Sequence, residues 1–167
     1  MNDRFTLTPA DEAILRRSFE VARRARARGT HPFGAVLAGP AGEILLEAEN
    51  GYLPHRDMTA HAERLLASEA STSYGARFLA SCTLFSSAEP CAMCAGAIYW
   101  AGIGRVVYGL SEKDLKKLTL AHDENPTLDL PCRTVFAAGQ RAVVVVGPAL
   151  EEEASRLHEG AWGPADP

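Results

Sequence analysis

His61-Ala62-Glu63, followed about 30 residues later by Pro90-Cys91-Ala92-Met93-Cys94, constrains this chain more than any other feature. One imidazole and two thiolates suit Zn²⁺, and three protein ligands leave its fourth tetrahedral position open. A chain carrying them must bring two separate segments to one ion. A water at such an open position has its pKa lowered to roughly 7, so the pattern points to hydrolytic chemistry. Glu63 stands two residues from His61, close enough to carry protons for that water.

Two other uses of Cys-x-x-Cys compete. A structural zinc knuckle needs a fourth ligand at suitable spacing; Cys82 and Cys132 are available, but neither forms a second Cys-x-x-Cys. A redox pair usually stands alone, whereas here Pro90 precedes it and a His-x-Glu lies upstream. A catalytic zinc therefore ranks first, a structural zinc second and redox chemistry last.

The 167 residues imply one domain, long enough to bury a core without disulfides. Hydrophobic residues make up 47% and charged residues 23%, the ordinary balance of a globular protein. Two thiolates assigned to metal and two spare cysteines, read as small buried residues, point to a reducing, cytoplasmic setting. Met1 to Thr8 has no apolar run like a signal peptide, and no stretch approaches a transmembrane length. The net charge of −4 counts against nucleic acid as a partner. Against that balance, Arg16, Arg17, Arg23, Arg24, Arg26 and Arg28 crowd one helix, which reads first as a solvated face.

Thr8-Pro9 is a helix start, with apolar Ile14, Leu15, Phe19, Val21 and Ala22 at helical spacing and Gly29 as the stop. Phe33–Ala38 and Glu43–Glu49, joined through Pro40-Ala41-Gly42, predict a hairpin. A helix is expected from Ala60 or His61 to about Ser71, a strand over Cys82–Ser86, and a helix opening at Cys91. Cys91 and Cys94, three apart, then share one helix face. Two helix N-termini meet at the metal, and their positive ends favour thiolate. A strand over Gly104–Gly109, a helix over Ser111–Leu120, a loop over His122–Pro131, a strand over Ala142–Gly147 and a helix over Leu150–Glu159 complete the chain. The alternation predicts an α/β fold, a three-layer α/β/α sandwich around a central five-stranded mixed sheet. The division is an N-terminal helix over 1–30, a core over 32–147, a C-terminal helix over 148–162 and a tail over 163–167.

These residues resemble the cytidine deaminase superfamily, whose zinc deaminases carry H-x-E…P-C-x-x-C. Pro32-Phe33-Gly34-Ala35-Val36, Asn50, Thr59-Ala60-His61-Ala62-Glu63 and Glu89-Pro90-Cys91-Ala92-Met93-Cys94-Ala95-Gly96-Ala97-Ile98-Tyr99-Trp100 are similar to the branch of guanine, guanosine and tRNA adenosine deaminases. The resemblance implies the superfamily fold, one Zn²⁺ per subunit on His61, Cys91 and Cys94, and Glu63 as the catalytic proton carrier. The reaction would replace an exocyclic amine by oxygen and release ammonia. Glu63 would pass protons from water to a ring nitrogen and on to the departing amine.

Substrate contacts are implied at Asn50, Phe33, Ala62, Trp100, Glu89 and Asp123. Phe33 and Trp100 match aromatic positions of the guanine-acting members, and core packing is their plainer use. Asn50 matches a base-reading amide, able to donate and accept, and a turn residue beside Gly51 is its rival reading. Glu89 is expected to brace a loop more than to serve as an acid, with its backbone touching substrate. After Gly109 the chain departs from guanine deaminases, where an acidic loop residue is expected; Asp123 or Glu124 would serve.

The leading expectation is a deaminase of a small purine base or nucleoside such as guanine or guanosine, working as a homodimer without nucleic acid or membrane. The alternatives are a tRNA-specific adenosine deaminase and a cytosine or aminotriazine deaminase. A zinc-stabilised module without activity ranks below these, because Glu63 has no structural reason to sit beside an open metal.

Overall fold

Thr8 opens the first helix through a reciprocal cap. Its hydroxyl accepts from the Asp11 N–H (3.1 Å), while the Asp11 carboxylate accepts from the Thr8 N–H (2.9 Å). Helix α1 (Pro9–Ala27) follows, then β1 (Gly34–Ala38), β2 (Ile44–Glu49), α2 (Ala62–Ser73), α3 (Ala76–Leu79), β3 (Thr83–Ala88) and α4 (Ala92–Ala101). The rest is β4 (Arg105–Leu110), α5 (Glu112–Thr119), α6 (Cys132–Ala137), β5 (Val144–Val146) and α7 (Glu151–Arg156). The computed structural model describes residues 4–120 and 122–163. Residues 164–167 of the expected tail lie outside them.

The sheet runs β2-β1-β3-β4-β5. β1 is antiparallel to β2 and β3, while β3, β4 and β5 are parallel to one another, so the five-stranded sheet is mixed as expected. Leu66, Ala70, Leu84, Ile98, Val106 and Phe136 form the core beneath α2, α4 and α6. Leu15, Phe19, Val36, Phe85, Val107 and Ala154 form a second core beneath α1 and α7. Gly34 lets α1 approach: a Cβ there would stand 2.5 Å from the Ala22 nitrogen. Cys82 and Cys132 are fully buried, as small core residues should be.

Several boundaries differ from the periodic pattern. The N-terminal helix, Pro9–Ala27, starts and stops where Thr8-Pro9 and Gly29 predict, whereas the C-terminal helix occupies only Glu151–Arg156 of the expected Leu150–Glu159. Leu150 takes a left-handed φ of 52° and Gly160 one of 65°, so the chain after Arg156 turns back over the protein. Helices α3 and α6, four and six residues long, are too short for a periodic signal.

Arg105 at the start of β4 ties down the N-terminal segment. Its guanidinium donates to both Asp11 oxygens (2.8 and 2.9 Å) and to the carbonyls of Arg4 and Thr6. Burial pushes the Asp11 carboxyl up, but hydrogen bonds from Arg105 and Thr8 outweigh it and hold the pKa below its usual value. The associated stability is therefore present above the unfolded carboxylate pKa near 3.9 and is lost as pH falls. Arg105→Met is expected to cost about 3–5 kcal/mol by stranding a buried carboxylate. A shift below about 1 kcal/mol in urea unfolding would show that the pair is not needed to hold this segment.

Candidate metal centre and substrate pocket

His61 and Cys91 are the N-cap residues of α2 and α4, both with extended backbone. An N-cap side chain ordinarily accepts a hydrogen bond from its own helix. Neither does so here; both turn toward a common point. Cys94, one turn into α4, completes the group. His61 Nδ1 lies 3.6 Å from each sulfur, and these three residues form the one metal-capable group found among the described residues. Zinc bonds of about 2.3 Å to sulfur and about 2.0 Å to nitrogen, at a tetrahedral angle, place S and N about 3.5–3.6 Å apart. The donor set and its spacing therefore fit zinc.

The three side chains also share protons. The hydrogen bond from Cys94 pulls the Cys91 thiol down to about 4. Cys94, donating that bond and buried, is pushed up. His61 is raised, chiefly by its hydrogen bond to Cys91. Glu63, in the first turn of α2, is 5% exposed, and burial pushes its carboxyl up. One of its oxygens accepts from the Ser86 hydroxyl at 2.9 Å, and the other lies 3.8 Å from Cys94 Sγ.

The expected substrate contacts separate into three groups. Asn50 is buried, Phe33 is half-buried, and Ala62 lies between His61 and Glu63 at the start of α2. The Asn50 Oδ1 accepts from the Thr30 hydroxyl (2.7 Å) and the Tyr52 N–H (3.0 Å). Both bonds fall on Oδ1, so the amide's donor Nδ2 takes no part in them. Ala62, first in α2, has no intrahelical acceptor for its N–H. Phe33 touches both cores. Glu89 braces, as expected: its carboxylate accepts from the N–H groups of Glu112 (3.0 Å) and Cys132 (2.9 Å) at the starts of α5 and α6.

Trp100 and Asp123 lie elsewhere. Trp100 sits in the last turn of α4, 86% exposed, edge-on to Tyr99. Six residues past Cys94, it has rotated by about 240° and faces away from the metal group. Asp123 is exposed, and its neighbour turns inward instead. A turn closed by Asn125 N–H to the His122 carbonyl (2.9 Å) directs Glu124 to His31 Nε2 (2.7 Å) and the Tyr52 hydroxyl (2.9 Å). The bond to His31 lowers the Glu124 carboxyl.

Sequence reasoning missed the aromatic layer above Phe33. Trp162 stacks on His31 (5.3 Å between centroids) and His158 (6.0 Å), and is tilted against Phe33 (6.0 Å). His158 packs on Phe33 at 5.2 Å, and His31 stacks on Tyr52 at 4.7 Å. The Trp162 indole donates to His158 Nδ1 (3.1 Å), while burial pushes the His158 pKa down to about 4. The neutral ring therefore packs as an aromatic wall. The signal in the sequence was Leu157-His158-Glu159-Gly160-Ala161-Trp162, two aromatics at helical spacing with no partner named. A cleft of about 760 Å³ opens on the outer side of this layer, between Arg26, Arg56, Tyr52, Glu124 and Trp162. It includes none of His61, Glu63, Cys91 or Cys94.

The arginines of α1 are largely engaged by carboxylates. Arg17 and Arg24 bind Glu47, Arg24 and Arg28 bind Glu49, and Arg16 binds Glu153. Among the described residues, no helix is long and apolar enough to cross a membrane.

Residues 8–110 match the family model described as the cytidine and deoxycytidylate deaminase zinc-binding region. The chain is 40% identical over 156 residues to a probable cytosine deaminase of Schizosaccharomyces pombe, covering 93% of this chain and 94% of that one. It is 39% identical over 102 residues to the tRNA-specific adenosine deaminase of Haemophilus influenzae, covering 61% and 59%. Among solved structures, a guanine deaminase from Nitrosomonas europaea superimposes with a TM-score of 0.71 at 25% identity, covering 93% of this chain and 85% of that one.

Proposed function

From its membership of the cytidine and deoxycytidylate deaminase family, to which this chain belongs, we propose that it deaminates a free heterocyclic base, with guanine the first candidate. Relatives named cytosine deaminase and guanine deaminase support deamination of a nucleobase. The choice of a free base rests on the aromatic layer. His158 and Trp162, from the chain's own C-terminal segment, close over Phe33 and make a lining suited to a flat ring. A ribose or an anticodon would need that layer displaced. The carboxylates against the α1 arginines weaken the case for an RNA phosphate backbone.

Zinc on His61, Cys91 and Cys94 supplies water activation and Lewis acidity. The chain's own residues supply the rest. Asn50 Nδ2 donates to a carbonyl or ring-nitrogen acceptor of the base, and the Ala62 N–H offers a second donor. Glu63 takes a proton from the attacking water and passes it to a ring nitrogen, then takes the proton of the added hydroxyl and delivers it to the departing amine, ending ionised as it began. The aromatic layer excludes bulk water from these transfers. Cytosine is the second reading, because the S. pombe relative that matches almost end to end is named for it. A homodimer belongs to the same proposal: the exposed Trp100 ring is a surface that a second copy would cover. A single domain and a reducing, cytoplasmic setting also belong to it, the latter in keeping with four free cysteines.

The test is ammonia release by the zinc-loaded protein from guanine, guanosine, adenine, adenosine, cytosine, cytidine, ammeline and a tRNA anticodon stem-loop. Turnover of guanine or cytosine well above its nucleoside is expected. Turnover of the stem-loop alone would overturn the free-base reading.

A further inference from the structure

We propose that Ser86 is a positioning residue for the reaction, holding the Glu63 carboxylate in its working orientation through a single hydrogen bond. The inference rests on the reading of Glu63 as proton carrier.

Ser86 is on β3, in register with Ala35 of β1 and Tyr108 of β4, so its backbone is fixed from both sides. Ala35, Leu37, Leu84, Val106 and Tyr108 belong to the apolar core on the α2 side of the sheet. Ser86 is a hydroxyl set among them, 1% exposed. A buried hydroxyl is unfavourable unless it is hydrogen-bonded. Its bond goes to Glu63 Oε1 at 2.9 Å, the one side-chain partner Ser86 has among the described residues. The neighbouring Ser87 is committed differently, accepting from the Gly34 N–H at 3.1 Å.

A merely small residue would satisfy packing equally well, since alanine occupies the facing position on β1. The hydroxyl therefore needs another reason. Glu63 supplies one: a glutamate has three side-chain torsions, and a proton carrier must hold one geometry through successive transfers. Ser86 anchors the oxygen remote from Cys94 and leaves Oε2, 3.8 Å from Cys94 Sγ, on the metal side. A charge-assisted bond from a rigid strand does this at no cost in further ordering.

The experiment uses the full zinc-loaded chain with Ser86→Ala, Ser86→Thr and Glu63→Ala, assayed on guanine, or on cytosine if the wild type acts only on that base. Ser86→Ala is expected to lower kcat roughly 10- to 100-fold, with KM within about twofold because no substrate contact is lost. Zinc content and Tm should match the wild type, and Ser86→Thr should restore most of kcat. Wild-type kcat in Ser86→Ala would overturn the proposal, as would equal losses in the alanine and threonine variants. Retained activity in Glu63→Ala would instead overturn the reading of Glu63, and separates the two failures.

Discussion

Glu63→Ala is expected to keep its zinc and lose turnover by about 10²–10⁴-fold, the usual worth of positioned acid–base catalysis. The geometry separates the two functions. Glu63 projects from the first turn of α2, while the ligand at the start of that helix is His61 Nδ1, 3.6 Å from each sulfur. Removing the carboxylate leaves the three donors in place. It leaves the Ser86 hydroxyl without its acceptor, a small stability cost of about 1–3 kcal/mol. Burial raises the Glu63 carboxyl, which suits a group that must both take and give protons near neutral pH. The measurement is kcat on the active base alongside metal analysis. Near-normal turnover in a zinc-replete variant would remove Glu63 from the chemistry.

Cys91→Ala and Cys94→Ala should behave in the opposite way, losing the metal itself and with it essentially all turnover. Two donors at two helix starts cannot hold zinc as three do, and metal affinity is folding free energy for the segments that converge on it. Binding to the folded state alone stabilises by about 4 kcal/mol at a thousandfold excess over Kd. The wild-type Tm should therefore fall when a chelator strips the protein, while the Tm of either cysteine variant should already be low and insensitive to chelator. Stoichiometric zinc in Cys91→Ala would show that the ligand set is wrong.

The metal group was legible because its signal is local. Cys91 and Cys94 are placed on one face by helical spacing alone, and Glu63 is tied to His61 by two residues of chain. The strands β1, β3, β4 and β5 were legible for a similar reason, as short, largely apolar runs between turn residues. Helices α3 and α6 carry too few residues to show a period. The acidic loop resisted for a different reason. Asp123 and Glu124 are adjacent and chemically alike, and only the turn closed by His122 and Asn125 aims Glu124 at His31 and Tyr52. Trp100, six residues beyond Cys94 on α4, is exposed, a burial that the motif's residue types alone do not specify.

By itself the sequence determined the zinc donors, the carboxylate beside them and the order of strands and helices. Each of these depends on residue type and on spacings that helix and strand geometry convert directly into direction. Only the tertiary structure decided where the C-terminal aromatics pack. Phe33, His158 and Trp162 meet although more than 120 residues of chain separate the first from the other two. The bonds accepted by Asn50 Oδ1, the turn of Glu124 toward His31 and Tyr52 and the bond between Ser86 and Glu63 were decided in the same way. All are contacts between segments distant in sequence, and no local propensity encodes which of many possible partners a packed chain brings together.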